Sequence, residues 1–308
     1  MQNQDECLIH PPRGNDFSIV LHYLKKRYYE AHGFMGFTHS LSAIALFLTF
    51  FAFWPDYFER LFGTYDVWVV TLACIVTAGA ALINDLDNSV STAENSLGLL
   101  GNILSAIFRG SSVFLQTTIR TKRDDLTPNP HRGAWHTIPA ALFLGGMTIL
   151  GTRIGGSTTL PMIGNIEYGT LVALLITYIL VHLSLSSIGK DFMKSIKTSG
   201  PLGELIAFVV SFVVTYSIFV NLPKDLDYWW LGVSVALGMI IHIVGDAFTT
   251  AGVPILFPLS AKLKGKFWWN TRFTSIKAGG VVERYLFVPF FGVLIVLSGW
   301  KFLSTIFS

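Results

Sequence analysis

Residues 228–247 read YWWLGVSVALGMIIHIVGDA, an apolar run that ends in His242 and Asp246. A transmembrane helix needs about 20 predominantly apolar residues, and this run has that length. The two polar side chains are four residues apart, so on a helix they lie on one face. Because ionisable groups inside a membrane are costly and commonly functional, this stretch predicts both a membrane helix and a polar site at its end.

The whole chain has the composition of a polytopic membrane protein. Its 308 residues have a mean hydropathy of +0.55, with 52% hydrophobic and only 13% charged residues, which is too apolar for a soluble domain of this length. Apolar runs of membrane-spanning length occur near residues 37–54, 67–83, 136–152, 168–188, 203–221, 228–247 and 285–305. The predicted fold is therefore all-α, a transmembrane bundle of about seven helices with interfacial amphipathic helices.

The segments outside these runs divide the chain simply. We expect an N-terminal arm over residues 1–36, one transmembrane domain over 37–308, and two long loops on the same side, 84–135 and 248–284. No small-residue cleavage pattern follows the first run, so it does not resemble a removable signal peptide.

Two stretches of these loops are themselves partly apolar. Residues 95–119 have the pattern of an interfacial or re-entrant helix. Residues 254–269 mix aromatic side chains with lysines, as is typical of a surface at the level of the lipid headgroups. Both stretches are expected to cover a site at the membrane interface.

The basic residues predict the orientation. Eighteen of the 22 lysines and arginines fall on one face, and four, Arg60, Arg153, Lys224 and Lys301, fall on the other. The positive-inside rule assigns the richer face to the cytoplasm, which predicts a cytoplasmic N-terminus and an external C-terminus.

Side chains of metal-ligand type gather at the predicted cytoplasmic ends of four different spans. These candidate ligands are His39, Asp85, Asp87, His131, His136, His242 and Asp246. The two cysteines, Cys7 on the arm and Cys74 inside a span, offer no cysteine-based site. The sequence therefore predicts a membrane-embedded centre built from histidine and carboxylate ligands. His182, by contrast, is expected to be a hydrogen-bonded packing residue.

The ordered motifs resemble a known family. Thr38-His39-Ser40, Asp85-Leu86-Asp87, His131-Arg132-Gly133-x-x-His136 and His242-x-x-x-Asp246-x-x-Thr249 occur in the order found in inner-membrane metal-dependent hydrolases of the YdjM (DUF457) type. Val282-Glu283-Arg284 is similar to the closing element of that family. The resemblance covers roughly residues 34–300, with residues 168–221 similar to an insertion.

The resemblance implies an integral protein of a bacterial-type inner (cytoplasmic) membrane and hydrolysis by a metal-activated water. One or two divalent ions are expected, with zinc preferred and manganese or iron as alternatives. Asp87 or Glu283 is the expected general base, and Arg132 the expected anion clamp. A site at the headgroup level predicts an ester or phosphoester of an amphiphilic or lipid-linked substrate. The lipid bilayer is the expected partner, nucleic acid is not, and the oligomeric state stays open.

Two other functions stay open, one of them because the chain departs from the family pattern at two positions. Asn88 replaces a histidine, and Trp135 replaces a serine or threonine, so a catalytically inactive scaffold is one alternative. A transporter or channel that uses the intramembrane histidines and aspartates is the other. A transport path crosses the bilayer, whereas the predicted outer loops contain no histidine. That asymmetry favours an enzyme.

Overall fold

The computed structural model describes residues 36–88, 91–119, 132–160, 164–195, 201–223 and 226–307, and its fold is a bundle of α-helices. The helices are α1 (Gly36–Phe53), α2 (Pro55–Phe62), α3 (Val67–Ala80), α4 (Thr92–Ser96), α5 (Gly98–Thr118), α6 (Ile138–Thr152), α7 (Tyr168–Ser195), α8 (Pro201–Phe219), α9 (Trp230–Ala247), α10 (Ser260–Lys264) and α11 (Val288–Ile306). The predicted all-α fold is confirmed. The N-terminal arm and His131 lie outside the described residues.

Short irregular elements connect these helices. Turns of 3₁₀-helix, Ile83–Asp87 and Ala134–His136, follow α3 and precede α6, and a π-helical turn, Glu283–Phe287, leads into α11. Strands β1 (Ser157–Leu160) and β2 (Gly164–Glu167) form an antiparallel hairpin between α6 and α7. Asp66 caps α3 by accepting backbone N–H groups of its first turn, and Thr137 caps α6 in the same way.

Six segments have the length and apolar composition of membrane spans. Five of them correspond to predicted spans: Gly36–Phe53, Val67–Asp87, Tyr168–Gly189, Trp230–Ala247 and Glu283–Ile306. Two other predicted spans are shorter apolar helices, Ile138–Thr152 and Leu205–Phe219. The sixth segment is Gly98–Thr118, which the sequence had predicted to be interfacial or re-entrant.

The contacts of α5 place it beside one end of the bundle. It packs chiefly against α4 and both 3₁₀ turns. The indole Nε1 of Trp135, next to the start of α6, donates to the Phe108 carbonyl near the middle of α5. The carbonyl of Ile119, just past the end of α5, accepts from Trp268 Nε1. These contacts support the interfacial or re-entrant prediction, although length and composition alone also allow a crossing helix.

Aromatic packing closes the opposite end of the bundle. Phe58 and Phe62 of α2 stack with ring centroids 4.2 Å apart, and Phe51 of α1 packs edge-on against both. Phe62 also contacts Trp230, the first residue of α9. Because large buried aromatic rings contribute much of the packing energy of a core, this cluster joins α1, α2 and α9 firmly.

The central helix α3 packs against α1, α7 and α9 and is the most buried of the candidate spans. Glycine permits these close approaches: a Cβ on Gly79 would lie 2.0 Å from the Leu180 carbonyl oxygen of α7. A Cβ on Gly238 of α9 would lie 2.3 Å from the Thr77 carbonyl oxygen of α3. Small residues at helix interfaces commonly permit close packing in membranes, where the hydrophobic effect does not drive helices together.

Replacing Gly79 by alanine is expected to destabilise the bundle, because the new methyl group forces α3 and α7 apart. Overpacking of this kind costs about 1–3 kcal/mol or more. Gly146 of α6 is the matched control, since a Cβ there meets nothing within 4 Å, and Gly146→Ala should change stability by under about 0.5 kcal/mol. Unfolding of both variants in mixed micelles would measure the difference. Equal stability of the two would refute the close α3–α7 contact.

Candidate metal centre

Four elements bring histidines and aspartates together at one end of the bundle. His39 lies in the first turn of α1, and Asp85 lies in the 3₁₀ turn after α3. His136 ends the 3₁₀ turn before α6, and His242 and Asp246 lie in the last two turns of α9. The helices alternate in direction, so the start of one and the end of the next meet at the same end of the bundle.

The imidazole Nε2 atoms converge on the Asp246 carboxylate. Nε2 of His39 lies 3.4 Å from Asp246 Oδ1, and the Nε2 atoms of His136 and His242 each lie 3.6 Å from Asp246 Oδ2. The Nε2 atoms of His136 and His242 are 3.3 Å apart. The rings of His39 and His242 stack with centroids 3.8 Å apart. Four side chains from three helices or their adjoining turns thus direct ligand atoms at one point.

Asp85 faces the same point from the solvent side. Its Oδ1 atom lies 3.7 Å from His242 Nε2 and 4.0 Å from His136 Nε2. Its side chain is 16% exposed, whereas those of His39, His136, His242 and Asp246 are at most 1% exposed. Asp85 is therefore the member of the cluster that solvent reaches most easily.

The spacing of these atoms fits a metal ion. Two groups of three ligand atoms lie within 4.8 Å of one another: His39, His242 and Asp246, and Asp85, His136 and His242. Ligands about 2.0–2.1 Å from a tetrahedral zinc-type ion are about 3.3 Å from each other. The observed separations between ligand atoms run from 3.3 Å, between the Nε2 atoms of His136 and His242, to 4.0 Å, between His136 Nε2 and Asp85 Oδ1. A modest contraction would bring them to ligand distance.

The charges also fit a cation. The cluster contains the carboxylates of Asp85, Asp87 and Asp246. The structure shows one positively charged side chain beside them, the guanidinium of Arg132, so negative charge is in excess. If the histidines are neutral, a divalent ion balances the excess negative charge. Buried charges are tolerated only when they are compensated, so this excess favours a bound cation.

Asp87 lies behind His136. Its Oδ2 atom is 4.0 Å from Nδ1 of His136, on the opposite side of the ring from the Nε2 atom that faces Asp246. Its carboxylate is buried. A carboxylate at the second ring nitrogen is the usual way to fix the tautomer and orientation of a metal-binding histidine. The position of Asp87 also suits a role in orienting His136 after a closer approach, and its roles as ligand or general base stay predictions.

Arg132 holds Asp246 from the other side. Its Nε atom lies 3.3 Å from Asp246 Oδ2, and its Nη1 atom donates to the hydroxyl of Thr249 at 2.9 Å and to the Gly252 carbonyl at 3.4 Å. The guanidinium is buried, and the backbone φ of Arg132 is +66°, which is uncommon for a non-glycine residue. The structure therefore gives this arginine internal partners through Nε and Nη1, and its role as an anion clamp stays a prediction.

The two residues that depart from the family pattern have different surroundings. Trp135 stacks on Phe108 with centroids 4.2 Å apart, and its Nε1 donates to the Phe108 carbonyl and to Ser111. Its own carbonyl accepts from Asn84 Nδ2 at 3.0 Å. Trp135 thus ties the turn that holds His136 to α5 and to the turn that holds Asp85. Asn88 is buried beside Asp87.

Several of these relations were not anticipated from the sequence. The Arg132–Asp246 pair joins residues far apart in the chain. The hydrogen bond from Asn84 to the Trp135 carbonyl, which links the turns of Asp85 and His136, belongs to no recognisable sequence motif. Glu283, a predicted base, is buried at the start of the last span and accepts the backbone N–H of Gly279 at 2.5 Å. His182 hydrogen bonds to the Ser211 hydroxyl at 3.0 Å and to the Ser96 carbonyl at 2.8 Å, as expected for a packing residue.

Fold and cluster together define an integral membrane protein of helical type with a buried group of histidines and aspartates that can hold a metal ion. A family model described as YdjM inner membrane protein matches residues 204–305. The predicted resemblance to the YdjM type is confirmed over that range, which includes His242, Asp246 and Glu283. No curated protein and no solved structure matches the chain.

Proposed function

We propose that this protein is a membrane-embedded, metal-dependent hydrolase that acts at one face of the membrane. The observation that carries the proposal is the convergence of three imidazole Nε2 atoms and two carboxylates at one end of an apolar bundle. Polar groups of this kind are costly to bury in a membrane, and such clusters mark functional sites. The concentration of basic residues supports a cytoplasmic position for this end.

The centre holds one ion per chain. Nε2 of His242 belongs to both groups of ligand atoms, since it faces Asp85 at 3.7 Å and Asp246 at 3.6 Å. A neutral imidazole nitrogen has a single lone pair and can bind a single ion through it. The two groups therefore describe one site. Members of the set His39, His136, His242 and Asp246 would hold the ion, and one position would stay open for water on the side that Asp85 faces.

The chain's own residues then have distinct tasks. An ion such as zinc lowers the pKa of a water that it binds from about 15.7 toward 7. Asp85, the solvent-reached carboxylate, accepts the proton of the attacking water. Asp87 and Arg132 hold His136 and Asp246 in orientation. The C–O or P–O ester bond of the substrate would then break, and the departing alcohol oxygen would take up the proton that Asp85 had accepted.

The position of the centre supports an amphiphilic substrate. The cluster lies at one end of helices that are long and apolar enough to span a membrane, and this would place it nearer the lipid headgroups than the bilayer centre. Mixed imidazole and carboxylate ligands suit zinc, manganese or iron better than calcium. We therefore infer an ester or phosphoester whose polar part reaches the centre while its apolar part stays in the membrane.

A hydrolysis screen tests this function. The full chain, reconstituted in lipid and loaded with zinc, manganese or iron, should cleave a carboxylic ester or phosphodiester of a lipid-length p-nitrophenol substrate, and a chelator should stop the reaction. Asp85→Asn is expected to retain its metal and to lower turnover by about 10²-fold, the usual loss when a general base is removed. His182→Gln is the control and should match the wild type. Metal binding without cleavage of any substrate would instead indicate a catalytically inactive scaffold.

A further inference from the structure

The segment between α9 and α11 has an unusual charge composition. Residues 248–282 contain five basic residues and no aspartate or glutamate. The basic residues are Lys262, Lys264, Lys266, Arg272 and Lys277. We call this segment the basic loop. Charge of one sign over such a length creates a local positive potential that attracts anions.

The basic loop is a folded structure attached to the metal end of the bundle. Backbone bridges join Thr249 to Ile276 and Val253 to Thr271. The Gly252 carbonyl accepts from Arg132, whose guanidinium also contacts Asp246. The loop therefore presents its side chains at the same end of the molecule as the histidine–aspartate cluster.

Apolar side chains on the basic loop are exposed between the charges. Leu259, Leu263, Phe273 and Val281 are 54 to 73% exposed. Leu263 is flanked in sequence by Lys262 and Lys264, which are exposed as well. Exposed apolar residues interleaved with lysines are typical of a surface that lies at the boundary between headgroups and acyl chains.

The exposed basic side chains have no acidic partner within the described chain. No ion pair there involves Lys262, Lys264, Arg272 or Lys277. Lys264 Nζ lies 5.0 Å from the ring centroid of Trp269, an arrangement that keeps both side chains at the surface. Trp268 stacks on Phe257 and donates to Ile119, so the aromatic part of the loop is fixed while its lysines extend outward.

We propose that the basic loop binds the anionic headgroups of phospholipids in the leaflet at the metal end of the bundle. The lysines and the arginine complement the negative charge of the headgroups. The exposed leucines insert beside them, at the boundary between headgroups and acyl chains. An acidic soluble partner would match the charges, but it would also have to supply an apolar surface for Leu259, Leu263 and Val281, which a lipid leaflet supplies without further requirement. Lipid binding by this surface does not require a bound metal, so it can be tested independently of the proposed hydrolase activity.

Spin-labelled lipids test the proposal on the full chain. The protein is reconstituted in phosphatidylcholine, and the motionally restricted fractions of labelled phosphatidylglycerol and phosphatidylcholine are compared by electron paramagnetic resonance. A basic residue at the surface of an anionic membrane contributes about a fivefold preference. We expect the wild type to prefer phosphatidylglycerol by at least about that factor, and 0.5 M salt, at which the Debye length falls to about 4 Å, to reduce the preference.

Two matched triple variants test which end of the protein causes the preference for phosphatidylglycerol. Lys262→Gln, Lys264→Gln and Arg272→Gln together should lower it toward an equal ratio of the two lipids. Arg60→Gln, Arg153→Gln and Lys301→Gln remove the same charge from exposed residues at the other end of the bundle, and this control should keep the preference. No preference in the wild type, or equal loss in both triple variants, would overturn the proposal.

A depth measurement keeps the proposal testable if the triple variant fails to fold. A nitroxide at Leu263→Cys, with Cys7 and Cys74 replaced, reports its own position in the bilayer. We expect high accessibility to oxygen and low accessibility to a water-soluble nickel complex, as at the acyl boundary. High accessibility to the nickel complex would place Leu263 in water and contradict the membrane contact.

Discussion

Replacing His242 by alanine is expected to remove the bound metal. Nε2 of His242 is the atom common to both groups of ligands, 3.3 Å from His136 Nε2, 3.6 Å from Asp246 Oδ2 and 3.7 Å from Asp85 Oδ1. Loss of a residue that merely orients a ligand costs about 10- to 100-fold in metal affinity, so loss of this ligand should cost more. Elemental mass spectrometry of purified protein should give about one transition-metal ion per wild-type chain and almost none in the variant.

The control for this measurement is another buried histidine of the same bundle. His182 of α7 hydrogen bonds to Ser211 and Ser96 and is not among the candidate ligands. His182→Gln should therefore keep the metal, provided that both variants elute as folded protein on size exclusion. Two ions per wild-type chain would contradict the single-site argument. Absence of metal after reconstitution with zinc, manganese and iron would contradict the centre itself.

Replacing Asp246 by alanine is expected to destabilise the metal-free protein strongly. Its carboxylate is the acidic partner that the structure shows for the buried guanidinium of Arg132, at 3.3 Å. Breaking a buried ion pair by removing one member costs about 3–5 kcal/mol, because the remaining charge is left without a partner in an apolar interior. Unfolding of chelator-treated protein in mixed micelles would measure the loss.

A second substitution separates the charge effect from the loss of packing. Arg132→Met in the Asp246→Ala background removes the stranded cation and should recover a large part of the lost stability. The exposed pair of Arg153 and Asp227, also 3.3 Å apart, is the matched control. Asp227→Ala should cost less than about 1 kcal/mol because solvent screens that pair. Equal losses of stability in Asp246→Ala and Asp227→Ala would show that the buried pair of Arg132 and Asp246 contributes no more than an exposed pair.

The sequence predicted the class of fold and the members of the cluster. Apolar runs of span length, broken at defined points, predict transmembrane helices because a bilayer requires a continuous internally hydrogen-bonded segment. Histidines and aspartates at the ends of those runs were then the obvious candidates for a site. Five predicted spans have the length and composition of membrane spans, whereas Ile138–Thr152 and Leu205–Phe219 are shorter.

Hydropathy was less informative where a helix is amphipathic or short. The segment Gly98–Thr118 satisfies the criteria for a span, yet its contacts run along the metal end of the bundle. Whether such a helix crosses or lies flat depends on what it packs against, since its composition allows both. The positions of Asp87 behind His136 and of Arg132 beside Asp246 were likewise not predictable from the sequence, because they depend on how distant segments pack.

By itself, the sequence determined that the chain lies in a membrane and which side chains are available as ligands, because composition and span length are local properties. Only the tertiary structure decided that Asp246 is shared by three histidines and Arg132, that Asp87 lies behind His136, and that Asp85 is the most exposed member of the cluster. These relations depend on helix packing through Gly79 and Gly238, which sets distances between residues far apart in the chain. A periodic pattern places a side chain on a helix, whereas contact between helices places it in a site.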